Sequence, residues 1–540
     1  MLKYLLVLLL ISTCSYAKIT LKDLESKPVS HAKDFMIWQF LKQDISAKEA
    51  DLAFKQVDNN KSSKLIRAYA KKTNNKELKY KLSCKKKSNL FKIKNQKCLE
   101  LAFTPYKALK LTNYQRNILA KRLKSEYKKK ILAILNEKHS LKAYSKYDAG
   151  TILTLFTSTG HKYRKKYMNL YLDKKFLDKL TSSWKISYFV YMVVHNDKLD
   201  MLQLSLLDIN GDNLNSKTNF FLGLNALRHD DKAAAINYFE LSAKKAKYKI
   251  DVDKNNFWLY KITGNKEYLN KLLLSMDINI YTLYYREKNN IEFENYFISL
   301  DTIDKKPSKT IVDPFQWHDI LKEIRTAKKE KLLTLAKNYK EREMLPVQAL
   351  IIQKAYDYNK HAYLMPYDKY LTGLDTDTKA LVYALMRQES NMIPAALSRS
   401  YALGLMQIMP FVADDISKRI DKPINSYNDM FLPEYNIRYS RQHIKWMKKS
   451  LYHPLFIAYA YNGGMGFFKK HLLRGNFKKG KYEPFLSMEM MSNSQSREYG
   501  KKVLANYVMY KKVMGEDVSI VQLLNTLTQP KKTDRFRSQG

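Results

Sequence analysis

The chain has 540 residues, 45% of them hydrophobic and 27% charged, which suits about three or four globular domains at roughly 150 residues each and not a disordered chain. Fifteen glycines and 13 prolines are too few for a collagen-like or turn-dense all-β protein, and a mean hydropathy of -0.47 argues against a multi-span membrane protein. Ninety-six lysines and arginines against 52 acidic residues give a formal charge of +44, which fits either a generally solvated basic surface or an acidic partner.

Met1 to Ala17 reads as a secretory signal peptide: one lysine, an apolar run from Tyr4 to Ile11 too short to span a bilayer, and small residues ending at Ala17. A lipoprotein leader ending at Cys14 is the alternative, disfavoured because Thr13 stands where a smaller residue normally precedes a lipidated cysteine. Export turns the basic charge away from nucleic acid and toward an acidic surface or polymer outside the cytoplasm. Cleavage would leave Cys84 and Cys98, an even pair in an oxidising compartment, which predicts a disulfide; two buried free thiols are the alternative. With no CxxC, no HExxH and no histidine cluster, neither a metal site nor a cofactor is expected.

Residues 18–303 read as an irregular α-helical solenoid, a succession of amphipathic stretches whose leucines and isoleucines recur at three and four residues. The segment FFLGLNALRHDDKAAAINYFELSAKKA resembles a tetratricopeptide-like helix pair, with Leu222-Gly223 expected to close one helix into the next and Ala235 set to pack by Phe239. A second pair is expected to turn at Gly264. Asp208 to Asp212 begins like a calcium loop, but its glycine comes too early, so an inter-helix turn is expected. A helical linking region follows over 304–367, and residues 529–540 are expected to be a disordered tail.

Thr378 to Ser390 predicts a helix whose apolar face, Val382, Leu385 and Met386, continues to Glu389. Pro394 predicts that the helix ends near Glu389, so an apolar wall and the negative end of the helix dipole both raise that carboxyl's pKa. A glutamate kept protonated near neutrality is what a general acid acting on a glycosidic oxygen requires. The alternative is a glutamate curled out to solvent at a frayed helix end. Downstream, Gly404 is expected to permit a close approach at a groove floor, Met406 and Met409 to offer adaptable apolar surface, and the Gln407 amide to offer polar contacts.

Glu389-Ser390, then Gly404-Leu405-Met406-Gln407-Ile408-Met409-Pro410, then Ala460-Tyr461-Asn462-Gly463 stand in the order of the motifs of the soluble lytic murein transglycosylases, which this sequence resembles over roughly its last 170 residues. The resemblance implies an all-α protein with a lysozyme-like catalytic domain, 368–528, behind the solenoid and linker. It implies that Glu389 is the sole catalytic acid/base, that Ser398, Gln407 and Met409 contact substrate beside it, and that Tyr461 brings a hydroxyl near it with Asn462 supporting the turn. Glu489 and Arg497 match the family's closing motif and are expected to bind substrate too. Three departures stand out: Gln495 for a usual glutamate, Tyr401 for a common glycine, and Gly463-Gly464 for Ala-Gly.

Ordinary glycosidases use two carboxylates; near these motifs the other candidates are Asp414 and Asp415, which read as a solvated helix face. The mechanism the resemblance implies uses one. Glu389 protonates the oxygen between N-acetylmuramic acid and N-acetylglucosamine, assisted by the substrate's acetamido group, then takes a proton from the muramyl C6 hydroxyl as a 1,6-anhydro ring closes. The expected partner is a peptidoglycan glycan strand in the periplasm, with other cell-wall proteins on the solenoid, and without nucleic acid or a membrane span after leader cleavage. A muramidase-type hydrolase and a non-catalytic wall-binding scaffold are the competing readings.

Overall fold

Ser, Thr and Asn residues punctuate the first half of the chain, and in the computed structural model many of its helices start on one. Ser30, Ser46, Ser62, Asn75, Asn95 and Thr112 each accept a backbone N–H of the following first turn, satisfying donors that a helix start leaves open. The structure describes residues 18–58 and 62–538; the leader expected over 1–17 lies outside them. Short helices follow one another from Leu21–Glu25 to Ile280–Lys288, and Glu126–Asn136 buries Ile131, Leu132, Ile134 and Leu135 along one stripe. A disulfide joins Cys84 at the end of the helix Lys76–Lys86 to Cys98 in Gln96–Ala102, with Cα atoms 5.2 Å apart.

The tetratricopeptide-like pair is present as Ser216–Arg228 and Lys232–Lys245, but Gly223 does not close a helix. It lies inside the first one, where a Cβ would stand 2.8 Å from the Phe239 ring. The glycine makes room for an aromatic from the partner helix, and the turn falls at His229–Asp231 instead. Gly264 does end a helix, Lys249–Thr263, in the left-handed conformation with φ 70°. Residues 209–215 form an inter-helix turn in which the Asn219 amide donates to the carbonyls of Gly211 and Leu214.

After the array, Tyr296–Phe297 pairs in parallel with His361–Ala362, so the chain leaves and rejoins the same place. Between these strands the segment gathers a core of its own around Ile320, Ile324, Val347 and Ile351. The last part is helical again, its centre being the packing of Thr376–Ser390, Pro454–Gly463 and Ser494–Val513. The fold is therefore all-α, an irregular solenoid followed by further helical units. Among the described residues no helix is long and apolar enough to cross a membrane.

Residues 529–538 of the expected disordered tail are folded. Residues Pro530–Thr533 and Arg535–Ser538 are short helices, and Asp534 between them is fully buried, paired with Arg537 at 2.8 Å. Arg537 also donates to the Phe477 carbonyl, and Thr533 accepts from the Tyr452 N–H. The expectation of disorder followed from the terminal position, and what overrides it is a buried, hydrogen-bonded ion pair.

Candidate active site

The helix Thr376–Ser390 delivers the central carboxyl. Asp375 caps its start by accepting the Thr378 N–H at 2.8 Å, Val382, Leu385 and Met386 are wholly buried, and Asn391 stops it in the left-handed region with φ 49°. Arg387, one turn before the end, donates to the Ala362 carbonyl and to Asn506 on Ser494–Val513, fixing the helix between its neighbours. Glu389 continues the apolar face, and its Oε1 accepts the Tyr499 hydroxyl at 2.8 Å. Burial pushes this carboxyl up to about 7, against the opposing pull of the Tyr499 hydrogen bond. It is therefore protonated through much of the range in which ordinary carboxylic acids are ionised.

The segment 396–409 folds beside it as a tight loop. Gly404 has φ 73°, and a Cβ there would lie 2.1 Å from the Met430 carbonyl oxygen, so the close approach is to structure beneath the loop and not to a groove floor. Met406 is likewise buried in the core. Its N–H donates to Asn436 and its carbonyl accepts the Tyr461 hydroxyl at 2.7 Å, so it presents no surface to a ligand. The Gln407 amide donates to the Ala396 and Gly404 carbonyls, holding the loop closed. Tyr401, where a glycine was usual, has φ 62°. That conformation costs about 1 kcal/mol or more for a side-chain-bearing residue. Its ring is buried against His31, Phe35 and Trp38 at 5.3–5.4 Å, which ties the loop to the helix His31–Phe40 at the start of the array.

Glu389, Ser398, Gln407, Asn462, Arg497 and Tyr499 line one cavity of about 890 Å³. Its other wall comes from the array, including Lys217, Phe221, Tyr248 and Asp251. Asn462 accepts from Ser496 at 3.0 Å. Met409 is half-buried at the start of the helix Pro410–Ser417 and does not line the cavity. Glu489 does not line it either: 1% exposed, it pairs with Lys501 at 2.9 Å and accepts the Tyr281 hydroxyl from the array. Arg497 reaches the cavity but is almost wholly buried, bonded to Glu498 at 2.9 Å and stacked 4.9 Å from the Phe221 ring.

Asp414 and Asp415 stay outside the cavity, in keeping with their reading as a solvated helix face. Asp415 pairs with Arg419, and Asp414 accepts from Tyr427 outside the cavity. Within it lie Asp251, paired with Lys254 at 2.8 Å, and Glu498. Burial works to raise Glu498, but Lys501, Lys254 and Arg497 outweigh it and hold the carboxyl well below the usual range. Glu389 is thus the cavity's protonatable carboxyl, and its companions are ion-paired. Sequence reasoning missed Tyr499, Glu498 and the array's wall; Tyr499 stood two residues beyond Arg497 with no local feature to mark it.

Residues 373–483 match the family described as Transglycosylase SLT domain. A stretch of 183 residues is 30% identical to the soluble lytic murein transglycosylase of Salmonella typhimurium, and a stretch of 168 residues is 32% identical to a putative soluble lytic murein transglycosylase of Haemophilus influenzae. These alignments cover 33% and 30% of this chain and 28% of each relative. The 70 kDa soluble lytic transglycosylase of Escherichia coli gives a TM-score of 0.42 at 16% identity, over 94% of this chain and 90% of that one. The matched region contains Glu389 and the loop beside it, and the chain spans less than a third of the length of the curated relatives it matches.

Proposed function

We propose that the chain is an exported lytic transglycosylase that cuts the β-1,4 bond between N-acetylmuramic acid and N-acetylglucosamine in periplasmic peptidoglycan. The observation that carries this reading is a single protonatable carboxyl, Glu389, in a large cavity whose other carboxylates are neutralised by cations. As acid, Glu389 gives its proton to the departing glycosidic oxygen while the C1–O bond breaks. As base, it takes the proton of the muramyl C6 hydroxyl while the C1–O6 bond forms, so water is not consumed. A resting pKa near neutrality suits a group that must do both.

Ser398, Gln407, Asn462 and Arg497, which line the cavity, would hold sugar or peptide groups. Tyr461 and Glu489 act behind them, Tyr461 by bracing the Met406 carbonyl and Glu489 by joining the catalytic region to the array. We take 18–303, 304–367 and 368–528 as solenoid, linker and catalytic units, with the solenoid closing the cavity over the strand. Purified peptidoglycan incubated with wild type and Glu389→Gln tests the reading: soluble fragments are expected from the first alone, and equal release by both would contradict it.

A further inference from the structure

The segment that lines the Glu389 cavity through Ser398 and Gln407 continues through Pro410 and Phe411 into a second cavity, of about 510 Å³. Its facing wall is the helix Ser63–Lys72 near the start of the array, which buries Leu65 and Tyr69 and presents Lys64, Arg67, Ala68 and Lys71 to the cavity. Lys42 and Trp38 also line it. Two of the cations are held in place: Lys64 donates to the Ser400 carbonyl at 2.8 Å, and the Lys42 ammonium lies 3.7 Å over the Trp38 ring.

Five cations, Lys42, Lys64, Arg67, Lys71 and Lys72, thus share this cavity with one carboxylate, Asp414, whose two oxygens both accept the Tyr427 hydroxyl at 2.9 Å. Helix electrostatics explains only part of that charge. Lys71 and Lys72 sit in the last turn, where cations favour the helix, but Lys64 sits in the first turn, where they oppose it. Beside the cations Phe411 is 68% exposed, a flat apolar side chain left in water at the mouth of a charged groove.

We infer that this cavity is a second, non-catalytic binding site for a carboxylate-bearing glycan chain, an inference that rests on the function proposed above. Phe411 offers its ring to a sugar face and the cations receive the chain's carboxylates. Because one segment, 398–411, forms part of both cavities, a strand long enough to enter both is held at two points, and its second contact is made at high effective concentration.

The test uses the full chain carrying Glu389→Gln, so that ligand is not consumed, and fluorescently labelled peptide-bearing glycans read by anisotropy. Long chains are expected to bind at least about tenfold tighter than a tetrasaccharide. Arg67→Glu with Lys71→Glu should bring that ratio down to about two, and Phe411→Ala alone should lower it about threefold. Phe411→Ala should leave binding of poly-glutamate, an anion without sugars, unchanged. A ratio that survives the charge reversal would overturn the inference. So would a ratio indifferent to Phe411→Ala while charge reversal abolishes poly-glutamate binding, which would assign the groove to acidic polypeptides. Failure of wild-type-like protein to bind either glycan would instead overturn the proposed function along with it.

Discussion

The Tyr499 hydroxyl donates to Oε1 of Glu389 across 2.8 Å, so the acid carried by one helix is held by a phenol from another. The bond favours the ionised carboxylate and partly offsets the effect of burial. Tyr499→Phe removes it and leaves burial unopposed. The alkaline limb of the kcat/KM profile should move to higher pH, with activity retained below it. A limb that stays in place or moves down would contradict this role.

Glu389 also makes stability depend on pH. Its pKa is about 7 in the folded protein against 4.5 ordinarily, so folding favours the protonated form. The favourable linkage is full below about pH 4.5 and is lost as pH rises through 7, an effect of at most about 3 kcal/mol. Glu389→Gln, which cannot ionise, should therefore melt above wild type at pH 8, with the gap closing toward pH 5. Calorimetry at the two pH values decides it, and a gap independent of pH would contradict the assigned ionisation.

Lys501 and Glu489 are both 1% exposed and lie 2.9 Å apart. Lys501→Met would strand the Glu489 carboxylate with the Tyr281 hydroxyl as its remaining partner and should cost about 3–5 kcal/mol in urea unfolding. Adding Glu489→Gln should recover a substantial part of that loss, since the buried charge goes with it. A single variant as stable as wild type would show that the pair is not buried as described.

Gly404 and Gly464 both have positive φ, 73° and 86°, but differ in surroundings: a Cβ at Gly404 meets the Met430 carbonyl at 2.1 Å, whereas at Gly464 nothing lies within 4 Å. Gly464→Ala should cost about 1 kcal/mol, and Gly404→Ala at least about 3 kcal/mol, because it must also move the Met430 carbonyl and the Asn436 side-chain amide that donates to it. Parallel thermal melts check the ranking, and equal costs would refute it.

The all-α fold was legible because helix periodicity is a local signal; the face and end of the helix carrying Glu389 are set within a few residues, but its carboxyl stood out through the resemblance of the surrounding motifs to a known family. What escaped the sequence depended on distant partners. Gly223 and Gly264 look alike in sequence, yet one admits Phe239 and the other turns left-handed. Met406 fits a ligand surface by composition but is consumed by Asn436 and Tyr461. The ordered tail hangs on Asp534 and Arg537, and the second wall of the active-site cavity comes from array residues Asn215 to Asn255, far upstream of Glu389, a juxtaposition no local pattern encodes.

The most direct measurement is mass spectrometry of the fragments released from purified peptidoglycan by the wild-type protein, with Glu389→Gln alongside. Anhydromuramyl products, lighter by one water than their hydrolytic counterparts and absent from the variant, are expected. Fully hydrated products from wild type would contradict the single-residue acid-then-base mechanism and assign the cavity to a hydrolase.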